Sequence, residues 1–267
     1  MLDIDNIYCG DAINLLDRVD DNSIDFVCFS PPYDKIRDYK GFNLDLSQLG
    51  KQLFRVSKDG AVCAVIMTDA TISGEKSLTT FRLVVDWVDN CGWRCFEHCI
   101  YSRFGRPGGW WNSRFRVDHE YILLFVKGPK PKYFNKEPLK IKAKHAGKML
   151  HGTTRLTDGS LIKNEKKLQS DMKCRGTIWH YSTSNTEGNK IKLKHPATYP
   201  DALADDLVQC FSQQGEIVLD PTAGSGTTCV VSSQRKRHYI GFDISDEYVR
   251  LAKERLSREI NRDMFLN

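Results

Sequence analysis

A strand, a glycine-rich turn and a helix follow one another in the last quarter of the sequence, and this unit most constrains the fold. The run Glu216–Asp220 predicts a strand, and a helix is predicted over Ser225–Gln234 after the turn. Glycines in such a turn let the backbone approach a ligand closely at the carboxyl end of a strand. Because Asp243 ends the next predicted strand, its carboxylate can accept both ribose hydroxyl hydrogens of an adenosine. The unit therefore predicts a site for an adenosine-bearing cofactor; the alternative is a turn that only packs the helix on the strand.

Strands and helices alternate through most of the chain. Besides the unit above, the predicted strands are Asn6–Cys9, Asp25–Ser30, Ala61–Met67, Arg94–Tyr101, Glu120–Val126 and His238–Asp243. The predicted helices are Asp11–Leu16, Leu46–Val56, Thr79–Asn90, Pro200–Ser212 and Asp246–Ile260, and a turn is predicted at Lys58–Gly60. This alternation predicts an α/β fold with a mostly parallel sheet and helices on both faces.

The alternation stops in a lysine-rich segment that begins at Lys127. Residues 127–194 contain 17 Lys and Arg against 5 Asp and Glu, a net charge of +12 against +5 for the whole chain, which leaves −7 for the rest. The segment is either a solvated loop or a surface that binds the phosphates of a nucleic acid. We predict two halves of one domain at residues 1–126 and 191–267, with an inserted recognition region at 127–190.

A second group of residues, Ser30-Pro31-Pro32-Tyr33, follows the predicted strand that ends at Ser30. The prolines fix an extended path, Pro31 offers a carbonyl acceptor without an N–H, and Ser30 offers a hydroxyl. Tyr33 offers a ring face on which a planar base can stack. Two acceptors that hold the N–H groups of an aromatic amine can localise its lone pair toward a methyl donor, by positioning and electrostatics alone. Taken alone, the segment favours an ordinary proline turn.

Together and in this order, the two groups resemble the amino-methyltransferases of DNA. Ser30–Tyr33 resembles the (Asp/Asn/Ser)-Pro-Pro-(Tyr/Phe) catalytic motif, and Asp220–Thr228 resembles the Asp-Pro-Phe-x-Gly-Ser-Gly-Thr cofactor motif. The catalytic motif comes first, as in the circularly permuted β group of that family. Thr222 stands where the family has an aromatic residue, so we expect different packing around the methionine part of the cofactor.

Four further segments are similar to family elements in the same order, so the resemblance covers about residues 6–255. They are Cys9-Gly10-Asp11, whose acid contacts adenine in the family; Leu53–Gly60, similar to the RVLKPGG turn; His119-Glu120-Tyr121; and His195–Pro200, similar to the HPAxFP element that packs on the cofactor's methionine end. The family places its target-recognition region between the last two elements, where the basic segment lies.

The resemblance implies a Rossmann-like S-adenosylmethionine-dependent methyltransferase fold, with S-adenosylmethionine as the cofactor and an inserted target-recognition region. The catalytic set is then Ser30, Pro31, Pro32 and Tyr33. The cofactor-binding set is Asp11, Asp220, Pro221, Thr222, Gly224, Ser225, Gly226, Thr227, Asp243, His195 and Pro196. Double-stranded DNA with a flipped-out base is the implied substrate, and a homodimer and a cognate restriction endonuclease are further expectations.

Ser30 bears on which base is methylated. In the family a serine at this position is commoner in N4-cytosine enzymes and an aspartate in N6-adenine enzymes, and Asp34–Tyr39 is similar to an extension found in the cytosine enzymes. The resemblance therefore favours N4-cytosine, with N6-adenine as the alternative. C5-cytosine methylation is disfavoured because the sequence has no Pro-Cys pair to supply a nucleophile. An RNA or protein-glutamine methyltransferase and an inactive DNA-binding module are the remaining alternatives.

Basic residues near the first motif and in the basic segment are candidate DNA contacts. They are Arg37, Arg103, Arg106, Lys130, Lys132, Lys140, Lys142 and Lys144. The segment Arg103–Trp111 matches no family motif. Its arginines and tryptophans suit either a DNA-contacting loop or a loop that packs on the core.

Cysteine usage and hydropathy indicate the cellular setting. The nine cysteines are odd in number and scattered, which is typical of reduced thiols. Cys91, Cys95 and Cys99 with His98 lack the paired ligand spacing of a zinc site, so no metal is expected. The sequence has no apolar run long enough to span a membrane, and Met1–Asp5 lacks the basic start of a signal peptide, so a cytoplasmic protein is expected.

Overall fold

The computed structural model describes residues 2–32, 44–104, 114–115, 117–182 and 198–266. The chain divides into two compact units. The larger contains residues 1–135 and 177–267, and the smaller is Lys136–Gly176.

The elements are numbered along the chain. The strands are β1 Asn6–Cys9, β2 Ile24–Phe29, β3 Ser57–Met67, β4 Thr71–Ile72, β5 Glu75–Lys76, β6 Arg94–Phe104, β7 His119–Val126, β8 Lys140–Lys142, β9 Met149–Leu150, β10 Thr153–Arg155, β11 Leu161–Lys163, β12 Lys167–Leu168, β13 Met172–Cys174, β14 Ile178–Ser182, β15 Ile217–Asp220 and β16 His238–Asp243. The helices are α1 Ala12–Leu16, α2 Leu46–Val56, α3 Thr79–Asn90, α4 Asp201–Phe211, α5 Thr227–Gln234 and α6 Asp246–Leu266, and Glu137–Leu139 forms one 3₁₀ turn.

The larger unit is built on an eight-stranded sheet in the order β1-β16-β15-β2-β3-β7-β6-β14. Every neighbouring pair is parallel except the two pairs that include β7. Seven strands therefore end at one edge of the sheet, and β7 begins there. This confirms the predicted α/β class with a mostly parallel sheet.

The core lies where α2 and α3 cover the sheet. Leu49, Leu53 and Val56 recur at helical spacing along α2, and all three are fully buried. Trp87 of α3 donates its indole N–H to the Leu46 carbonyl of α2 at 2.9 Å. A side chain at Gly50 would meet that indole, since a Cβ there would lie 2.5 Å from its nitrogen. Gly50 therefore lets the two helices approach closely despite its low helix propensity.

Most element predictions agree with the structure, and one is wrong. The bounds predicted for α2 and α3 are those observed, and Asp11 caps α1 by accepting the Asn14 N–H at 3.0 Å. The turn predicted at Lys58–Gly60 lies inside β3. Gly60 has φ +75° there, and its N–H donates to the Lys127 carbonyl at 2.7 Å, so the strand continues through an irregularity.

The smaller unit consists of antiparallel two-stranded pairs. β8 pairs with β13, β9 with β12 and β10 with β11, which is the nested pairing of one long ribbon. Almost all of its side chains are exposed, and Leu139 and Ala143 are its buried apolar residues. It lies within the segment predicted to be a recognition insertion and carries 11 Lys and Arg against 4 Asp and Glu. None of the helices in the described ranges is long and apolar enough to cross a membrane.

Asp25 ties together three chain segments at the edge of the sheet where the parallel strands begin. The carboxylate is buried and accepts the Ile217 N–H at 2.9 Å, the Lys58 ammonium at 2.7 Å and the Lys132 ammonium at 2.5 Å. Lys132 also pairs with Glu216 at 2.9 Å. Burial alone raises the pKa of Asp25, but the hydrogen bonds from Ile217, Lys132 and Lys58 outweigh it, so the net pKa is lowered.

We expect Asp25→Asn to lower the free energy of unfolding at pH 7 by about 1–3 kcal/mol, because two ammonium groups lose their anion. A carboxylate whose pKa is lower in the folded state stabilises the fold at pH values above its unfolded-state pKa of 3.8. This contribution is lost as the pH falls through the folded-state pKa. The difference between wild type and variant should therefore be constant from pH 7 to pH 5 and shrink below pH 4. Urea denaturation measures it.

Glu254→Gln is the matched control, since its ion pair with Arg258 is exposed on α6. We expect it to change the free energy of unfolding by less than about 0.5 kcal/mol. An Asp25→Asn effect as small as this would contradict the assigned role of Asp25.

Candidate active site

Four neighbouring strands bring the two predicted motifs to one edge of the sheet. β1, β16, β15 and β2 run in the same direction and lie side by side. Their carboxyl ends lead to Asp11, Asp243, Asp220 and Ser30, which are far apart in sequence. This is the edge at which open α/β sheets bind ligands.

The glycine turn between β15 and α5 has a left-handed conformation at two positions. Gly224 has φ +51° and Gly226 has φ +76°, values that side chains disfavour. Gly226 also lies close to α6, because a Cβ there would be 3.0 Å from the Ala252 Cβ. The Ala223 N–H donates to the Phe242 carbonyl at 2.7 Å, so the turn is held against β16.

Asp243 is fixed by two backbone N–H groups. One carboxylate oxygen accepts the Gly224 N–H and the other accepts the Ser245 N–H, both at 2.9 Å. Its carbonyl accepts the Gly10 N–H at 2.9 Å, which links the ends of β1 and β16. Burial raises the pKa of Asp243, and the two N–H donors oppose that rise. Because each carboxylate oxygen has a second lone pair, Asp243 can still accept hydroxyl hydrogens from a ligand.

Asp220 is a buried acid at the end of β15. It accepts the Thr222 N–H at 3.0 Å. Burial raises the pKa of Asp220 to about 7, and the charge of Asp243 adds to this rise. The hydrogen bond from the Thr222 N–H lowers the pKa, but burial outweighs it. Close to neutral pH this carboxyl therefore changes charge, and a nearby positive charge would favour its ionised form.

Two threonine hydroxyls join the cofactor turn to the strand that leads into Ser-Pro-Pro. Thr222 donates to the Ser30 carbonyl at 3.1 Å, and Thr228 donates to the Cys28 carbonyl at 2.9 Å. Thr228 also hydrogen-bonds the buried Tyr199 hydroxyl. The threonine that departs from the family pattern thus fixes the position of Ser30, a role that an aromatic side chain there would not fill.

The Ser-Pro-Pro segment lies beside this turn. Pro31 is buried, and Ser30 and Pro32 are partly exposed. The predicted catalytic Tyr33 lies outside the described residues, as do the predicted cofactor contacts His195 and Pro196. Predicted DNA contacts Arg37 and Arg106 also lie outside them, together with most of the Arg103–Trp111 loop.

The sequence analysis did not identify Arg255, whose guanidinium contacts the glycine turn. Its fully buried guanidinium donates to the Ser225 carbonyl at 3.2 Å and the Thr227 hydroxyl at 3.0 Å, and makes two bonds of 2.7 Å to Asp201. The available signal was an arginine in the apolar row of α6, between Ala252 and Leu256.

Two predicted DNA contacts have partners within the larger unit. Lys132 pairs with Asp25 and Glu216 where β2 and β15 begin, which is the opposite edge of the sheet from Asp243. The Arg103 guanidinium lies 3.2 Å from the Glu120 carboxylate and donates to the Val117 carbonyl at 3.0 Å. These side chains serve the fold here. The predicted contacts Lys130, Lys140, Lys142 and Lys144 are exposed, and Lys140 pairs with Glu137 at 2.7 Å.

The donor and acceptor groups at this edge fit an adenosine-bearing ligand that carries positive charge. Three acids, Asp11, Asp220 and Asp243, stand at the strand ends, and the turn at residues 221–228 contains no lysine or arginine. The buried cation behind the turn, Arg255, is neutralised by Asp201. Such an acidic edge would repel a phosphate group and favour hydroxyl and cationic groups.

Comparisons with known proteins give the family. The N6/N4 methylase family model, described as DNA methylase, matches residues 24–254. The orphan methyltransferase M.BamHII of Bacillus amyloliquefaciens is 32% identical over 250 residues, which cover 91% of this chain and 92% of that protein. The chain belongs to the N6/N4 DNA methylase family.

Solved structures agree in fold. The PvuII DNA methyltransferase, described as cytosine-N4-specific, matches with a TM-score of 0.70 at 20% identity over 96% of this chain and 91% of that one. M1.HpyAVI, described as a complex with SAM, matches with a TM-score of 0.62 at 20% identity over 94% and 98% of the two chains. These matches confirm the predicted methyltransferase fold.

The raised pKa of Asp220 predicts how stability depends on pH. A carboxyl whose pKa rises from 3.8 to about 7 on folding binds more protons in the folded state between these values. Its contribution to stability therefore falls as the pH rises from about 4 to about 7 and is constant above. Asp220→Asn removes this loss. The free energy of unfolding of the variant minus that of wild type should therefore be larger at pH 8 than at pH 5.

Urea denaturation at the two pH values measures the change. Asp246→Asn is the control, because Asp246 is an exposed acid at the start of α6. A difference between Asp220→Asn and wild type that is the same at pH 5 and pH 8 would contradict the raised pKa.

Proposed function

We propose that this DNA methyltransferase moves a methyl group from S-adenosylmethionine to the exocyclic N4 amine of cytosine in DNA. One observation carries the proposal. The Thr222 hydroxyl in the cofactor turn donates to the Ser30 carbonyl in the Ser-Pro-Pro segment. The groups that would hold a methyl donor and those that would hold an amine are therefore adjacent.

The acidic side of the site would hold S-adenosylmethionine. Asp243 would accept the ribose hydroxyls, since its two oxygens are oriented by Gly224 and Ser245. Asp11 would lie toward the adenine, and Asp220 with the glycine turn would lie toward the positively charged part. When bound, the cofactor supplies a methyl group attached to a cationic sulfur. The complex described for M1.HpyAVI supports this choice of cofactor.

The Ser-Pro-Pro side would hold the amine. The amine of cytosine is a weak nucleophile because its lone pair is delocalised into the ring. The Ser30 hydroxyl and the Pro31 carbonyl would accept its two N–H groups and direct the lone pair toward the methyl group. Because the base must leave the duplex to reach this edge, base flipping is part of the proposal, with Tyr33 as the stacking residue implied by the family motif.

DNA would be bound through the inserted recognition region. The exposed Lys130, Lys142 and Lys144 remain the proposed phosphate contacts, and residues 127–190 remain the proposed target-recognition region. Ser30 is the residue commoner in N4-cytosine enzymes, and it supports N4 over N6-adenine. The PvuII enzyme is described as cytosine-N4-specific, and YhdJ of Escherichia coli, 26% identical, as a DNA adenine methyltransferase. A homodimer and a cognate endonuclease remain predictions.

The decisive experiment incubates the protein with duplex DNA and methyl-labelled S-adenosylmethionine, followed by mass spectrometry of the nucleosides. We expect N4-methylcytosine with wild type and at least a hundredfold less with Ser30→Ala. Ser257→Ala, an exposed serine on α6, serves as a matched control with wild-type yield. N6-methyladenine would retain the reaction and overturn the choice of base, whereas no labelled nucleoside over a broad set of sequences would overturn the proposed activity.

Replacing Lys130, Lys142 and Lys144 with Gln should weaken DNA binding uniformly across sequences. Each lysine that neutralises a phosphate adds up to about 0.9 to the slope of log affinity against log salt concentration. The triple variant should therefore show a flatter slope by fluorescence anisotropy. Lys51→Gln with Lys253→Gln, exposed on α2 and α6, should leave the slope unchanged. Equal slopes for the triple variant and wild type would contradict the proposed phosphate contacts and favour the alternative, a solvated loop.

A further inference from the structure

Helix α6 packs directly on the glycine turn between β15 and α5. A Cβ at Gly226 would lie 3.0 Å from the Ala252 Cβ, so the turn and the helix are in contact. One turn further along α6, the Arg255 side chain is fully buried. Arginine is rarely buried completely, because desolvating a guanidinium is costly unless its charge and its N–H groups have partners. The partners of Arg255 therefore indicate what this residue does.

Arg255 holds one peptide group of the turn. Its guanidinium donates to the Ser225 carbonyl at 3.2 Å and to the Thr227 hydroxyl at 3.0 Å. The N–H of the same peptide belongs to Gly226 and donates to the Ala223 carbonyl at 2.7 Å. Since both polar groups of this peptide are bonded within the protein, its orientation is fixed.

The N–H of Ser225, which belongs to the preceding peptide, remains available to a ligand. It makes no hydrogen bond with any residue that the structure describes. The Gly224 N–H on one side is held by Asp243 at 2.9 Å, and the Ser225 carbonyl on the other side is held by Arg255. The Ser225 N–H between them therefore has a fixed direction. Backbone N–H groups in such a turn can bind an acceptor group of a ligand.

Asp201 balances the charge of Arg255. Both of its carboxylate oxygens lie 2.7 Å from one guanidinium nitrogen. Without Asp201 the glycine turn would have a buried, unbalanced cation beside it, and charges interact strongly in a protein interior. S-adenosylmethionine carries a positive charge on its sulfur, whereas S-adenosylhomocysteine, which remains after methyl transfer, does not. An unbalanced Arg255 would therefore weaken binding of the cofactor more than binding of the product.

We propose that Arg255 is a positioning residue that fixes the Ser225 N–H for the cofactor, and that Asp201 balances its charge so that the site accepts a cationic ligand. This inference rests on the proposed cofactor site, because Arg255 acts on the ligand only through the glycine turn. The two roles have different consequences. Lost geometry weakens S-adenosylmethionine and S-adenosylhomocysteine alike, and lost charge balance weakens mainly S-adenosylmethionine.

Arg255→Lys tests the positioning role, since lysine keeps the charge but lacks the planar group that reaches Ser225, Thr227 and Asp201 together. Isothermal titration should give Kd values for the two ligands that are each about fivefold or more above wild type, with their ratio unchanged. Thr227→Val removes one acceptor of the guanidinium and should raise both Kd values by about two- to fivefold. Wild-type Kd values in both variants would overturn the positioning role.

Asp201→Asn tests the charge balance, because asparagine has a similar shape and leaves Arg255 without a counter-charge. The Kd of S-adenosylmethionine divided by that of S-adenosylhomocysteine should rise about threefold or more. Arg255→Gln combined with Asp201→Asn removes both charges and should return this ratio to the wild-type value. Titration at pH 8, above the pKa of about 7 of Asp220, keeps that carboxyl ionised in every variant. An unchanged ratio in Asp201→Asn, or an equally raised ratio in the double variant, would overturn the charge role.

The matched controls are Glu254→Gln and Arg258→Lys, which alter an exposed ion pair on the same helix. Both should bind the two ligands like wild type. The ratio also separates the charge effect from general destabilisation, since a loss of stability lowers both affinities by the same factor. A wild type that binds neither ligand would overturn the proposed cofactor site as well. A wild type that binds both, with variants that bind equally well, would overturn this inference alone.

Discussion

The parallel pairing of β16, β15 and β2 is the constraint on which the site depends. Asp220 lies opposite Gly241 in this register, and Leu219 lies opposite Val27, so the three strands end almost level. Parallel strands buried on both faces are held by main-chain hydrogen bonds and by apolar side chains such as Phe26 and Val27. A slip of one residue would turn these side chains away from their positions and separate Ser30 from Thr222.

Charged side chains have different roles at the two edges of the sheet. Where the parallel strands begin, Asp25 and Lys132 neutralise each other and hold three segments together, which is a structural use of charge. At the opposite edge the acids Asp220 and Asp243 lack a neutralising side-chain cation among the described residues, and burial raises the pKa of both. An edge that holds uncompensated acids favours a cationic ligand, and that preference accounts for the chemistry proposed there.

The elements and the motifs could be predicted from the sequence because hydrophobic spacing and glycine positions reflect the structure of short chain segments. Hydrophobic spacing gave α2 and α3 their observed bounds, and glycine marked the turn at Gly224 and Gly226, where φ is positive. The same reasoning placed a turn at Gly60, but there the strand continues because Lys127 on the neighbouring chain segment supplies the hydrogen-bond partner. A glycine indicates a positive φ and does not determine whether the strand ends.

Long-range partners could not be predicted in this way. Arg255 reaches Asp201 across 54 positions, Thr222 reaches Ser30 across 192, and nothing in either local sequence identifies the partner. Lys132 illustrates the same limit: composition groups it with the DNA-binding lysines, whereas tertiary structure places it beside Asp25. Which charged residues serve the fold depends on the three-dimensional structure, and those that remain exposed are the candidates for binding.

The cofactor turn positions the Ser-Pro-Pro segment through Thr222, and Thr222→Val removes this contact. The substitution keeps the shape of the side chain and removes the hydroxyl that donates to Ser30. Isothermal titration of S-adenosylmethionine and single-turnover methyl transfer at saturating cofactor and DNA separate binding from chemistry. At saturating cofactor we predict a rate constant lower by about three- to tenfold, the loss of one hydrogen bond, whatever the change in cofactor Kd. An unchanged rate constant, or a loss confined to cofactor affinity, would show that Thr222 does not position Ser30 for methyl transfer.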